Sequence, residues 1–257
     1  MKIISWNVNG LKARLEAVKR LSEELQPDVI CCQKVMAKGK GFITVPGYFT
    51  WWGSMNGSLV GGVSTFMKLW KGIELDSLAN VPQASDWLHD TGCILALNFE
   101  HFILVNTYFP YSNLQNEEFV KIRQRWNYEI HEYLIKAASR KPLIVCGDMN
   151  IVATDLDAWD KVSVKKQGCF LDWEHRNFNS LLEATDLVDS YRYLHPEGRA
   201  YSYFFNNNPK YRLANQGFRI DYFLVSESLL PHIKKSEILT DVFETTNNPI
   251  LLEIELP

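Results

Sequence analysis

Three apolar runs of strand length end abruptly in polar residues. KIISW is followed by Asn7, DVICC by Gln33 and Lys34, and LIVCG by Asp148, Met149 and Asn150; a fourth run, RIDYFLV, carries Asp221 within it. Short apolar runs bounded by such breaks read as buried strands. Between them, Leu11, Leu15, Val18, Leu21 and Leu25 recur at helical spacing, as do Phe119, Ile122, Trp126, Ile130 and Leu134. Pro142 then leads the second helical pattern into LIVCG, so HFILVNTYF, helix and LIVCG form a βαβ-like passage. GGVSTFMKL, CILALNF and HFILVNTYF follow one another without a long helix, which favours antiparallel pairing there and a mixed sheet. In the last third YSYFF, IDYFLVS and ILLEIEL are expected as strands, with NNNPKYRLANQG as a polar loop.

Composition narrows the class. With 46% apolar and 22% charged residues, the 257-residue chain is globular rather than disordered or fibrous. No Pro/Gly/Ser-rich linker divides it, so one domain over 1–257 is expected. Cys31, Cys32, Cys93, Cys146 and Cys169 are odd in number and lack CxxC spacing, which argues against disulfides and zinc. No stretch resembles a signal peptide or reaches the length of a membrane span. The expected setting is intracellular and cytoplasmic, nucleoid-associated or nuclear if the chain acts on DNA. A net charge of −3 excludes a polybasic protein while leaving room for a local basic groove.

Polar residues at the ends of apolar strands are where chemistry is sought, because strands supply rigidity and the loops beyond them open a crevice. Asp148 and Asp221 are costly to bury unpaired and call for a cation or hydrogen-bond donors. Each residue taken alone is equally well read as capping a turn or helix.

The joint pattern is more specific. SWNVNGLKA, PDVICCQ, NTYFP, CGDMNIVATDLD, then GCF, NFNSLL and DLVDSYRYLHP, and NQGFRIDYFLVS occur in order across nearly the whole chain. Together they resemble the exonuclease III family of apurinic/apyrimidinic (AP) endonucleases, within the endonuclease/exonuclease/phosphatase superfamily. The resemblance implies a four-layer α/β sandwich, with two mixed β-sheets packed face to face and flanked by helices, and a DNA-facing cleft at one edge. It also implies roles. Asn7 matches the asparagine that orients the catalytic carboxylate, Asp148 the aspartate taken to activate water, and Asn150 the amide that holds the phosphate. Tyr108 matches a tyrosine beside the scissile phosphate, Asp221 a supporting carboxylate, and Phe218 stands where many relatives place a tryptophan near the abasic pocket.

Other matched positions depart from the pattern. Relatives carry Gln-Glu after the second strand, the glutamate being a principal metal ligand, where this chain has Gln33-Lys34. Their Ser-Asp-His motif before a proline is matched here by Thr245-Thr246-Asn247, so the charged Asp-His pair is replaced by Thr246 and Asn247. Asn247 can donate a hydrogen bond but can neither bear a charge nor take up and pass on a proton. Candidate phosphate contacts are Lys38, Lys40, Lys165, Lys166, Lys210 and Arg212, each equally well read as a solvated surface residue.

A lysine suits a magnesium site poorly, since unit charges 4 Å apart interact by about 4 kcal/mol at an effective dielectric near 20. Lys34 is therefore expected to take the ion's place, with its ammonium within about 4 Å of Asp148 or Asp221. No cofactor is expected, and any metal would rest on Asp148 and Asp221. The reading is an exonuclease III/AP endonuclease-like monomer with hydrolysis lost or severely impaired, whose old cleft is kept for double-stranded or abasic DNA. The alternative is an active Mg-dependent AP endonuclease and 3′–5′ exonuclease with rearranged ligands.

Overall fold

Eleven strands are arranged in two sheets in the computed structural model, which describes residues 1–36, 43–53, 61–68, 81–160 and 167–256. The first sheet holds β1 (Lys2–Asn7), β2 (Val29–Gln33), β3 (Tyr48–Trp52), β4 (Val63–Lys68), β10 (Ile233–Ile238) and β11 (Ile250–Ile254), in the order β10-β11-β1-β2-β4-β3. The second holds β5 (Ile94–Asn98), β6 (Ile103–Tyr108), β7 (Leu143–Asp148), β8 (Leu187–Asp189) and β9 (Asp221–Ser226), in the order β5-β6-β7-β9-β8. Both are mixed: β1–β2 and β6–β7 run parallel, and the remaining pairs are antiparallel.

Alternation along each strand divides the apolar side chains between two faces. Ile3, Val29 and Cys31 point inward and meet Leu104, Ile144, Cys146 and Phe223 of the facing sheet. Their chain neighbours Ile4, Ile30 and Cys32 point outward and are covered by helix α1 (Leu11–Leu25) through Leu11, Val18 and Leu21. On the other side Val105, Val145 and Leu224 lie under α3 (Glu117–Ala138) and α4 (Asp172–Thr185), which contribute Trp126, Ile130, Leu134, Phe178 and Leu181. The result is four layers, helix–sheet–sheet–helix. Among the described residues there are three further short helices: α2 (Asp86–Asp90), α5 (Ser190–Leu194) and α6 (Pro209–Leu213). Among the described residues no helix is long and apolar enough to cross a membrane.

Two local expectations are corrected. YSYFF is not a strand: Tyr203 makes only isolated bridges to Phe218 and Asn247, and a 3-10 turn begins at Phe205. Its aromatic side chains are drawn to a pocket rather than to a ladder. The expected loop NNNPKYRLANQG contains α6, because Asn208 caps the amide of Lys210 and Pro209 is preset for a first helical turn.

Strand β9 is anchored at its start by a buried ion network. Arg219 donates through Nε to Asp157 Oδ1 at 2.7 Å and lies 2.6 Å from Asp189 Oδ2; Arg192 and Thr154 also donate to Asp157. Burial raises the Asp157 carboxyl, but the Arg219 charge and the hydrogen bonds from Arg219 and Thr154 outweigh it and hold it below the usual carboxylate range. Asp157→Ala leaves the buried Arg219 short of a partner and is expected to cost about 3–5 kcal/mol in urea unfolding at pH 7. A depressed carboxyl stabilises the fold above the unfolded pKa of about 4, and that contribution disappears as pH falls through the folded value. The gap between wild type and variant should therefore be full at neutral pH and narrow below pH 4; an equal gap at all pH values would assign the loss to packing.

Candidate functional site

Strand register gathers the polar strand ends at one edge of the sandwich. Asn7 at the end of β1 is paired with Gln33 at the end of the parallel β2. Tyr108 and Asp148 are likewise paired at the ends of β6 and β7, and the antiparallel β9 enters the same edge with Asp221 opposite Asp148. Gly147 permits this approach of β6 and β7: a Cβ there would lie 1.8 Å from the Thr107 carbonyl oxygen. The segment before β11 closes the edge. Trp6 Nε1 donates to the Asn247 carbonyl at 2.9 Å and Thr245 Oγ1 to the Asn7 carbonyl at 3.1 Å.

The two aspartates are buried and held by amides. Asp148 Oδ2 accepts from Asn7 Nδ2 at 2.7 Å and from Asn247 Nδ2 at 3.4 Å, while Oδ1 accepts from the Asn150 backbone at 3.0 Å. Asn247 Nδ2 also donates to Asp221 Oδ2 at 2.9 Å, leaving Asp221 Oδ1 buried with no partner. Thr246 Oγ1 donates to Asn247 Oδ1 at 3.0 Å and so fixes the amide from behind. Asn150 Nδ2 donates to the Phe109 carbonyl at 2.8 Å. Burial pushes Asp148 upward against the pull of these bonds and of the Lys34 and Arg123 charges. Burial and then the Asp148 charge push Asp221 well above the carboxylate range. Tyr108 is raised for the same two reasons.

A cavity of about 330 Å³ opens beside these groups. Asn7, Lys34, Tyr108, Asp148, Asn150, Phe218, Thr246 and Asn247 line it; Asp221 stands directly behind, bonded to Asn247. Lys34 does not pair as expected: among the described residues it forms no ion pair within 4.0 Å, while Asp148 and Asp221 accept hydrogen bonds from amides. Its charge reaches Asp148 only at longer range. Arg212 offers no free guanidinium, being bonded to Asn207, Thr245 and Asn248 and packed over Phe204 and Phe243. Lys210 is exposed on α6, away from the cavity lining. Lys38, Lys40, Lys165 and Lys166 lie outside the described residues.

Sequence reasoning missed several contributors. Tyr203 and Phe205 line the cavity, with Tyr203 stacked on Phe218 at a centroid separation of 6.3 Å; their strand-like run concealed them. Cys169 lines it too, its thiol raised by burial. Arg123 donates to the carbonyls of Pro110 and Met149 at 2.8 and 3.0 Å, tying the ends of β6 and β7 together from α3. An arginine three residues before Trp126 on an apolar helix face was the available signal.

The model of the "Endonuclease/Exonuclease/phosphatase family" matches residues 4–243. An exodeoxyribonuclease of Bacillus subtilis is 30% identical over 260 residues, covering all of both chains. An AP endonuclease from Leishmania major superposes with a TM-score of 0.86 at 25% identity, over 100% of this chain and 88% of that one. A Neisseria 3′ phosphatase bound to a product DNA hairpin superposes with a TM-score of 0.80 at 22% identity, over 100% of both chains, and extends the likeness of fold.

The raised Asp221 carboxyl sets a pH slope. The folded state holds that proton more tightly than the unfolded chain, so stability falls as pH rises from about 4 through the folded titration, by at most about 1.4 kcal/mol per pH unit. Asp221→Asn removes this slope. Thermal melts from pH 4.5 to 8 should show the variant gaining on the wild type as pH rises, whereas parallel curves would mean that Asp221 titrates normally.

Proposed function

The chain belongs to the endonuclease/exonuclease/phosphatase family, in its exonuclease III and AP endonuclease branch, and from that premise we propose that it is a DNA-binding member whose phosphodiester hydrolysis is lost or severely impaired. The observation that carries the reading is the Asn247 amide lodged between Asp148 and Asp221.

Magnesium, which the family implies, needs several oxygen ligands near 2.1 Å in octahedral array. Of the four oxygens of Asp148 and Asp221, three accept hydrogen bonds, and a lysine lines the same cavity. Among the described residues no group of three or more His, Cys, Asp or Glu side chains gathers. The donor set fits such an ion poorly. The transition state of phosphodiester cleavage also needs positive charge or strong donors at the developing oxyanion. The Thr246–Asn247 pair presents an amide already committed to two carboxyls, and losing one preorganised donor of this kind typically slows chemistry about 10²- to 10³-fold.

DNA remains the partner that the cleft suits. The aromatic rings of Tyr203, Phe205 and Phe218 offer stacking surface beside a polar floor of Asn7, Asn150 and Tyr108. The Neisseria relative of the same fold holds a DNA hairpin. On this reading residues 1–257 act as one domain and as a monomer on duplex or abasic DNA.

Cleavage of an abasic duplex tests the chemistry. Wild type should cut at least about a hundredfold more slowly than a triple variant carrying Lys34→Glu, Thr246→Asp and Asn247→His, titrated with magnesium. Lys34→Glu alone, or the other two changes alone, should recover little, because residues acting as a unit give non-additive rates. A wild type that already cuts as fast as the triple variant would establish the active, magnesium-dependent nuclease instead.

A further inference from the structure

Lys34 is the cation that the site's own contacts leave over. Its position is fixed from three sides. The backbone is left-handed at φ 53°, uncommon for a residue with a side chain. Gly10 N donates to its carbonyl at 2.8 Å, and Met36 N donates to the Gly61 carbonyl at 2.7 Å. Gly61 also makes room for the lysine stem: a Cβ there would stand 3.3 Å from Lys34 Cα and 3.4 Å from Lys34 Cγ. The chain thus builds a seat for this side chain on the cavity wall, although none of the described carboxylates pairs with it within 4.0 Å.

Ordinarily a lysine near two aspartates collapses onto them. Here no such pair forms within 4.0 Å, and the carboxyls are held instead by the amides of Asn7 and Asn247 and the backbone of Asn150. Besides the Asp148 carboxyl, whose oxygens accept from these amides, the cavity of about 330 Å³ is lined by the Lys34 ammonium, the Tyr108 hydroxyl and the amides of Asn7, Asn150 and Asn247, all of them donors. That is a donor set for an anion. A phosphodiester brings one negative charge and acceptor oxygens, and an ammonium binds it as a point charge without demanding planar or octahedral geometry.

We propose that Lys34 is the phosphate-binding group of this cleft, supplying the positive charge that a divalent ion supplies elsewhere in the family, so that DNA binding by this chain is independent of divalent metal. The inference rests on the DNA-binding reading above and deepens it. It assigns the lysine a function distinct from silencing: the same substitution that removes a metal ligand gives the cleft a resident counter-charge for the backbone. Tyr108, which lines the same cavity, offers a second donor to that phosphate.

The test is fluorescence anisotropy with a duplex carrying a tetrahydrofuran abasic analogue, at matched ionic strength, in EDTA and in magnesium chloride. Wild type should bind with the same Kd in both buffers. Lys34→Gln should weaken binding about tenfold or more in both and flatten the dependence of log K on log salt by about one. Lys34→Arg should keep the metal-independent affinity within a few fold. Lys34→Glu should bind most weakly in EDTA and regain affinity on addition of magnesium. Thermal melts confirm that each variant is folded before its Kd is read. Wild-type binding that requires magnesium, or a folded Lys34→Gln with unchanged Kd and salt slope, overturns the role of Lys34 while leaving DNA binding intact. Failure of the wild type to bind the duplex in either buffer removes the DNA reading itself.

Discussion

Two carboxyl groups placed opposite each other at the buried end of a sheet are the constraint on which this site depends. The β7–β9 register fixes Asp148 against Asp221, and both are excluded from water. Two charges so placed repel each other and forfeit hydration, and burial with mutual repulsion pushes Asp221 well above the carboxylate range. The surroundings must supply positive charge or hydrogen-bond donors. A metal ion does this with charge; here Asn7, Asn247 and the Asn150 backbone do it with donors.

That choice propagates outward. An amide satisfies two carboxyls only if its own plane is held, so Thr246 Oγ1 fixes the Asn247 oxygen and Trp6 fixes its backbone. The Asn150 amide in turn is tied to Phe109, and Arg123 clamps the carbonyls of Pro110 and Met149 on either side. The donors are embedded in backbone contacts of β1, β6 and β7. Such a network is costly if half satisfied and stiff if complete; its one orphan, Asp221 Oδ1, marks where it stays incomplete.

Much of this was legible in the sequence because strands announce themselves. Apolar runs ending at Asn7, Gln33 and Asp148 located the strand ends, and the helical spacing around Trp126 located the covering layer. The paired strand ends then follow from register, which motif order alone does not state. Side-chain choice among partners was not legible. Lys34 beside two aspartates reads as an ion pair, and only the three-dimensional arrangement reveals that no such pair forms while amides donate to both carboxyls. Tyr203 and Phe205 were hidden by a run that looks like a strand, because periodicity does not distinguish a ladder from an irregular segment whose rings line a pocket.

The three positions read as departures from the family pattern share a location. Lys34, Thr246 and Asn247 all lie beyond strand ends, so none fills volume between the sheets or beneath the helices, where a change of one methylene is felt. The elements that set the geometry are elsewhere: the close β6–β7 approach at Gly147, the Arg219–Asp157–Asp189 network at the start of β9, and Arg123 beneath the β7 turn. A scaffold that fixes positions independently of the charges mounted on them can exchange a carboxylate for an ammonium at one strand end without refolding. The chemistry of the cleft is then decided by which donors reach Asp148 and Asp221, and the charge left facing the cavity decides what the cleft holds.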